Sequence, residues 1–163
     1  MIEIKINKND LEELFKNNSL TIDNLNIKLS CKEEKKFDYC DIKTFEDACK
    51  KLSLNPNDIV RLFDNFPSKH KKHLIAEYKL VLIFEAINDG WEADYSNENE
   101  YKYYPYFIWD KSSGFSFGAS AYRHSDSGVS SLLSTNTREK SEYIGEQFID
   151  IYNDILNNNH YEQ

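Results

Sequence analysis

The chain is poor in the residues that fix a function by chemistry alone. Its three cysteines, Cys31, Cys40 and Cys49, are an odd number with no CxxC pair. That excludes a disulfide scaffold as the source of stability and fits a reducing compartment. Their equal spacing matches no zinc module. No stretch approaches the roughly 18 consecutive apolar residues of a membrane span. The opening MIEIKINKND carries no apolar signal-peptide core, so a cytoplasmic protein without a membrane partner is expected. Positive charge is also scarce. The formal net charge of -8 repels phosphate backbones and disfavours a nucleic-acid partner. No internal repeat is present.

What the sequence does hold is apolar surface. Hydrophobic residues make up 40% and charged residues 29% of 163 positions, which suits one ordinary domain with a packed core. Aromatics reach 14%, with 11 Tyr and 10 Phe, too much buriable area for a disordered chain. Charge is uneven: between Glu85 and Asp110 seven acids face Lys102 alone, whereas basic residues lead between Asp41 and Ile83.

Alternation and helical spacing divide the chain into two parts. Residues 1–40 read as a small N-terminal α/β appendage with a charged linker. Ile2, Ile4 and Ile6 alternate as a strand, Leu11, Leu14 and Phe15 follow a helical cap, and Leu20 to Leu29 alternate around Asp23-Asn24. Residues 41–163 read as the main α+β domain. Thr44 and Asp47 open a short helix as a capping-box variant. Asn55-Pro56 opens a second helix. Ser68 is expected to cap a third. From Leu74 to Ile87 that third helix is apolar on nearly every face, so it is expected to lie centrally in the core, with Gly90 at its C′ position. A last helix is expected from an Asn136 cap, with Glu139 as its capping-box partner and a stripe of Ile144, Phe148, Ile151 and Ile155.

Between these helices, residues 101–135 predict an antiparallel three-stranded meander packed on the central and C-terminal helices. Turns are expected at Lys111-Ser112-Ser113-Gly114 and Ser125-Asp126-Ser127-Gly128. Pro105 removes a ladder donor, so its strand should be an edge or carry a bulge. Strict alternation places Phe115, Phe117, Ala119 and Ala121 on one face and Ser116, Gly118, Ser120 and Tyr122 on the other. The first strand is aromatic on both faces, through Tyr103, Phe107 and Trp109 on one and Tyr104 and Tyr106 on the other. Either Tyr104 and Tyr106 simply cover Gly118, as aromatics cover strand glycines, or they form a platform with Tyr122. A platform of that kind suits protein contact or base stacking. The candidate binding residues are Tyr104, Tyr106, Tyr122, Trp91, Trp109 and Arg123.

Chemistry-bearing clusters are thin. His70 and His73 lie three apart on a helix with no local third ligand. The basic turn from Lys69 to His73 and Arg123 offer phosphate contacts. Arg123-His124-Ser125-Asp126 holds triad residue types, but neighbours in sequence cannot form a triad. Asp89, Glu92 and Asp94 read as a solvated acidic rim, with acid–base or cation binding as the sharper alternative. No catalytic residue, metal ligand or cofactor is assigned.

One resemblance adds context. The runs Thr44-Phe45-Glu46-Asp47-Ala48-Cys49, Glu85-Ala86-Ile87-Asn88-Asp89-Gly90-Trp91, Lys102-Tyr103-Tyr104-Pro105-Tyr106-Phe107 and Ser141-Glu142-Tyr143-Ile144-Gly145-Glu146-Gln147-Phe148 resemble an uncharacterised family of phage and prophage proteins from Bacteroides-type gut bacteria. The resemblance spans 44–156 and leaves out the first 40 residues. It implies a phage setting, in the host-cell cytoplasm or the virion, and carries no activity or site residues. The expectation is therefore a non-enzymatic phage-related protein-binding module that uses an aromatic sheet surface. The alternatives are binding of single-stranded nucleic acid or nucleotide by stacking, and a metal-assisted hydrolase built on the acidic loop.

Overall fold

The computed structural model describes residues 19–22, 25–28 and 37–157. These fall in two compact units, Met1–Lys36 and Phe37–Gln163. In the first unit, β1 (Ser19–Ile22) pairs antiparallel with β2 (Leu25–Lys28), with Ile22 opposite Leu25. The strand expected at residues 2–6, the helix through Leu11 to Phe15, Cys31 and the tail beyond Asn157 lie outside the described residues.

The second unit is built around one long helix. α1 (Phe45–Lys51) starts at Thr44, whose hydroxyl accepts the Asp47 N–H at 3.1 Å while Asp47 Oδ2 accepts the Thr44 N–H at 3.0 Å, so the capping box forms. α2 (Pro56–Arg61) starts at Asn55, with proline in the first turn as expected. α3 (Ser68–Asn88) runs 21 residues. Its N-cap is Pro67 and not Ser68, and no side chain caps it; the Pro67 carbonyl instead accepts from His70 and Lys71 at 2.9 and 3.1 Å. It ends at Asp89, which is left-handed with φ 50°, followed by Gly90 at φ 89°. The sharp reversal falls where only a glycine takes the second such angle without strain.

The second half of α3 is the buried half. Leu80, Ile83, Phe84, Ala86 and Ile87 pack with Ile42, Ala48, Ile144, Phe148 and Tyr152. On the other flank Leu82 joins Phe45, Cys49 and Ile59 from α1 and α2. A helix covered on two flanks shows no amphipathic stripe, which is why its sequence is apolar all round.

β3 (Lys102–Asp110) and β4 (Gly114–Arg123) form an antiparallel two-stranded sheet on this core. The tight turn between them relies on Gly114 at φ 79°. Pairing runs from Lys102 opposite Arg123 to Tyr106 opposite Ala119, then resumes at Phe107 opposite Phe117. Gly118 is left unopposed as a β-bulge in β4, while the strand carrying Pro105 meets the expectation as an edge of a two-stranded sheet. Pro105 costs no ladder bond. Tyr103 exchanges both backbone bonds with Thr135 at 2.9 and 2.8 Å, so it points away from β4. Pro105, two residues on, points the same way.

The expected third strand does not form. Ser130 caps a 3-10 turn at Ser131–Leu133 by accepting the Leu132 N–H at 3.3 Å. The chain then reaches the far edge of β3 through the single bridge of Thr135 to Tyr103. The expected last helix is two, α4 (Arg138–Gln147) and α5 (Ile149–Leu156), divided at Phe148. Its cap is Thr137, whose hydroxyl accepts the Lys140 N–H at 3.3 Å; the Asn136–Glu139 box is not made. Gly145 lets α4 sit directly on the sheet, since a Cβ there would meet Phe117 ring atoms at 2.3 and 2.6 Å.

Candidate functional site

Residues directly opposite in an antiparallel pair share a face. The pairing therefore sorts the sheet into a covered face and an open one. Pro105 opposite Ser120 and Phe107 opposite Phe117 face the helices. There the Ser120 hydroxyl donates to Ser141 at 2.8 Å, and the Phe107 ring packs against Tyr152, tilted by 40° with centroids 4.2 Å apart. Burial against that ring pushes the Tyr152 phenol up from its ordinary range. The open face carries Tyr104, Tyr106, Ile108, Ser116, Ala119 and Ala121 along its middle, between Asp110 at the hairpin end and the Lys102–Arg123 pair at the other. Tyr106 is 58% and Ile108 55% exposed, while Tyr104 is half-buried.

The bulge reshapes the aromatic platform expected from strict alternation. Past Gly118 the faces of β4 exchange. Ser120 turns to the helices, Ala119 and Ala121 turn outward, and Tyr122 joins Tyr103 on the face opposite Tyr104 and Tyr106. The side chain over Gly118 is Ile108, whose Cγ1 would lie 2.6 Å from an added Cβ. Only Tyr104 and Tyr106 of the three platform tyrosines remain together. Tyr122 instead sits in a cluster with Tyr101, Tyr103 and His124, with centroids 4.3 to 6.0 Å apart.

The other candidates go to different places. Trp109, 54% exposed, stands at the hairpin end of the sheet against Phe115 at 5.0 Å. Arg123 donates to the Tyr122 carbonyl at 2.9 Å and pairs with Asp126 at 3.4 Å. Trp91 follows the end of α3, its backbone N–H donating to the Asn88 carbonyl at 3.1 Å and its indole N–H to Glu100 at 3.3 Å.

Both edges of the sheet are guarded. Arg138 donates to the Ser120 carbonyl at 3.1 Å and Asn153 to the Phe115 carbonyl at 3.2 Å, occupying acceptors along the free edge of β4. On the β3 edge Thr135 takes Tyr103, and Pro105 has no N–H to offer. A further strand meets blocked or missing partners on either side.

Lys102, fully buried, is the residue that sequence reasoning passed over. Its ammonium donates to the Asn97 and Glu100 carbonyls at 3.0 Å each and lies 3.3 Å from the Glu100 carboxylate. It ties the acidic loop down. Within that loop the Ser96 hydroxyl and N–H hold the Asp94 carboxyl below the usual carboxylate range. The signal in the sequence was Lys102 itself, the lone base in an acidic stretch.

Among the described residues no three His, Cys, Asp or Glu side chains converge as metal ligands. His73 lies 3.4 Å from Glu77, and the basic turn is matched by acids, Lys71 to Asp64 at 2.7 Å and Lys72 to Asp154 at 2.8 Å. No described helix is long and apolar enough to cross a membrane. The fold and surface together define an α+β domain with one exposed sheet face, aromatic and uncharged along its middle. Set against known proteins, the chain matches no family model, no curated protein and no solved structure.

Proposed function

We propose that this chain is a protein-binding module that docks a partner face-on against the outer side of its two-stranded sheet. The observation that carries the reading is the pair of large apolar side chains, Tyr106 at 58% and Ile108 at 55% exposure, on the uncharged middle of that face. Exposed apolar area of this kind marks contact surfaces, and tyrosine gives wide contact at low entropic cost. The guarded edges favour contact across the face over addition of a strand. The net charge of -8 and the acid-matched basic turn favour a protein over a nucleic acid. The resemblance to phage and prophage proteins suggests a partner from the virion or the infected host.

A photo-crosslinking residue placed at position 106 or 108 tests the reading in cells that make the protein, with position 50 on α1 as the control. The same discrete adduct is expected from 106 and 108 and none from 50. Identical adduct patterns at all three positions would sink the proposal. Binding of the captured partner is expected to change little with salt, because the middle of the face is uncharged and its exposed charges, Asp110 and Arg123, lie only at the two ends.

A further inference from the structure

The uncharged middle of the open sheet face has ends of opposite sign. Asp110 closes it at the hairpin, and Arg123 closes it at the other end, opposite Lys102. Lys102 is fully buried and committed to the Asn97 and Glu100 carbonyls, so Arg123 is the exposed positive charge there. Strands rise about 3.4 Å per residue, which puts the two charges about 27 Å apart. Each keeps a free polar atom. The bonds that Asp110 accepts from Ser112 and Ser113 all end on Oδ1, and Oδ2 accepts none among the described residues. Those bonds, led by that from the Ser112 hydroxyl, hold the carboxyl below the usual carboxylate range and keep it charged at neutral pH. Arg123 uses Nη1 on the Tyr122 carbonyl and Nε on Asp126, which leaves Nη2 without a partner among the described residues.

A face of this pattern is complementary to itself. Position 106 lies midway between 102 and 110 on β3. A two-fold axis that crosses the strands at that level brings a second copy over the first with its ends reversed. Asp110 of each copy then meets Arg123 of the other, Tyr104 meets Ile108, and Tyr106 meets its own counterpart. An axis running along the strands would instead stack the two hairpin ends and bring Asp110 near Asp110. The guarded edges of the sheet leave the face, and not strand addition, as the route by which two copies meet.

We infer that the occupant of the open sheet face is a second copy of this chain, packed face to face about the axis that crosses β3 at Tyr106. The inference rests on the reading of this face as a docking surface and names the partner. The apolar middle supplies the attraction. The two Asp110–Arg123 pairs lie at the rim, where ion pairs add little affinity and fix the register. The contact is small. Nine residues of β3 span about 30 Å and two strands are about 10 Å across, so each copy buries less than the roughly 800 Å² of a standard interface. The dimer is therefore weak and forms as concentration rises. Physiological salt screens the repulsion between two chains of net charge -8 beyond about 8 Å.

The test sediments the purified full chain in physiological salt, from micromolar to near-millimolar concentration. A monomer–dimer equilibrium is expected. Tyr106→Glu should abolish it, because two carboxylates then face each other on the axis. Arg123→Glu should weaken it roughly fivefold, the scale of two exposed ion pairs. Lys50→Glu on α1 should leave it unchanged, and far-UV dichroism checks the fold of each variant. A photo-crosslinker at position 108, in a mixture of light and heavy-isotope chains, reads the register without touching Tyr106. Its adduct is expected on the other copy around Tyr104. A dimer that survives Tyr106→Glu, a dimer as tight in Arg123→Glu as in the parent, or an adduct on Ser116 would each overturn the inference. So would a monomer at every concentration. If positions 106 and 108 then still capture a different protein in cells, the docking surface stands and only the second copy is lost; if they capture nothing, both readings fall.

Discussion

Gly145 stands where α4 crosses the sheet, and two opposing effects meet there. Alanine is the better helix former by about 1 kcal/mol. Its Cβ, however, would meet the Phe117 ring at 2.3 and 2.6 Å and Pro105 at 3.0 Å. Phe117 is pinned between α4 and Phe107, so overpacking should win. Gly145→Ala is expected to destabilise by about 1–3 kcal/mol in urea titrations. Gly118 offers the contrast. A Cβ there crowds the side chain of Ile108, which is 55% exposed and free to turn away, and touches the Tyr106 carbonyl oxygen at an ordinary 3.4 Å. Gly118→Ala is expected to stay within about 0.5 kcal/mol of the parent. A gain in stability at Gly145, or a large loss at Gly118, would contradict this account of how the sheet is packed.

The elements differ in how openly the sequence declared them, and α1 is the clearest. The Thr44 hydroxyl is the main cause that holds the Asp47 carboxyl below its ordinary range, and two backbone N–H groups add to it. A depressed folded value means stability that is present above the unfolded value of about 3.9 and lost as pH falls through the lower folded one. Thr44→Ala is expected to cost about 1 kcal/mol near neutral pH. That cost should shrink in denaturant titrations carried down through the acid range, once Asp47 protonates in the parent too. A cost independent of pH would detach Asp47 from the cap. Caps of this kind are local and therefore legible, as Thr44 and Asn55 were. Ser68 failed because Pro67 took the cap, and Asn136 failed because Thr137 did; one residue of slip leaves the pattern unchanged. The third strand failed for a related reason. Val129, Ser131 and Leu133 alternate as a strand would, yet Ser130 offers the backbone a local turn that no distant partner outweighs. The Gly118 bulge was illegible because it exists only in the pairing with β3. It decides the candidate surface, since it moves Tyr122 off the face of Tyr104 and Tyr106.

At the scale of the molecule, the open sheet face and the end of α3 belong to one unit, Phe37–Gln163. The residues that hold them are its own. One core cluster runs from Ile42 to Tyr152 and the other joins Phe45, Cys49, Ile59 and Leu82. The chain's two tryptophans sample separate places in this unit, Trp91 beside the end of α3 and Trp109 at the hairpin. If the unit is an autonomous domain, a fragment of residues 37–163 unfolds in one cooperative transition. Its midpoint is then the same by far-UV dichroism, by Trp91 fluorescence in a Trp109→Phe background and by Trp109 fluorescence in a Trp91→Phe background. The Trp109 reporter also tests the proposed surface, because a hairpin that melts early cannot present Tyr106 and Ile108 as a fixed surface. Transitions that separate, with Trp109 released first, would make the sheet a loosely attached element and remove the basis for face-on docking. Coincident transitions would make the hairpin and the helical core one cooperative unit, on which Tyr106 and Ile108 stand as a fixed surface.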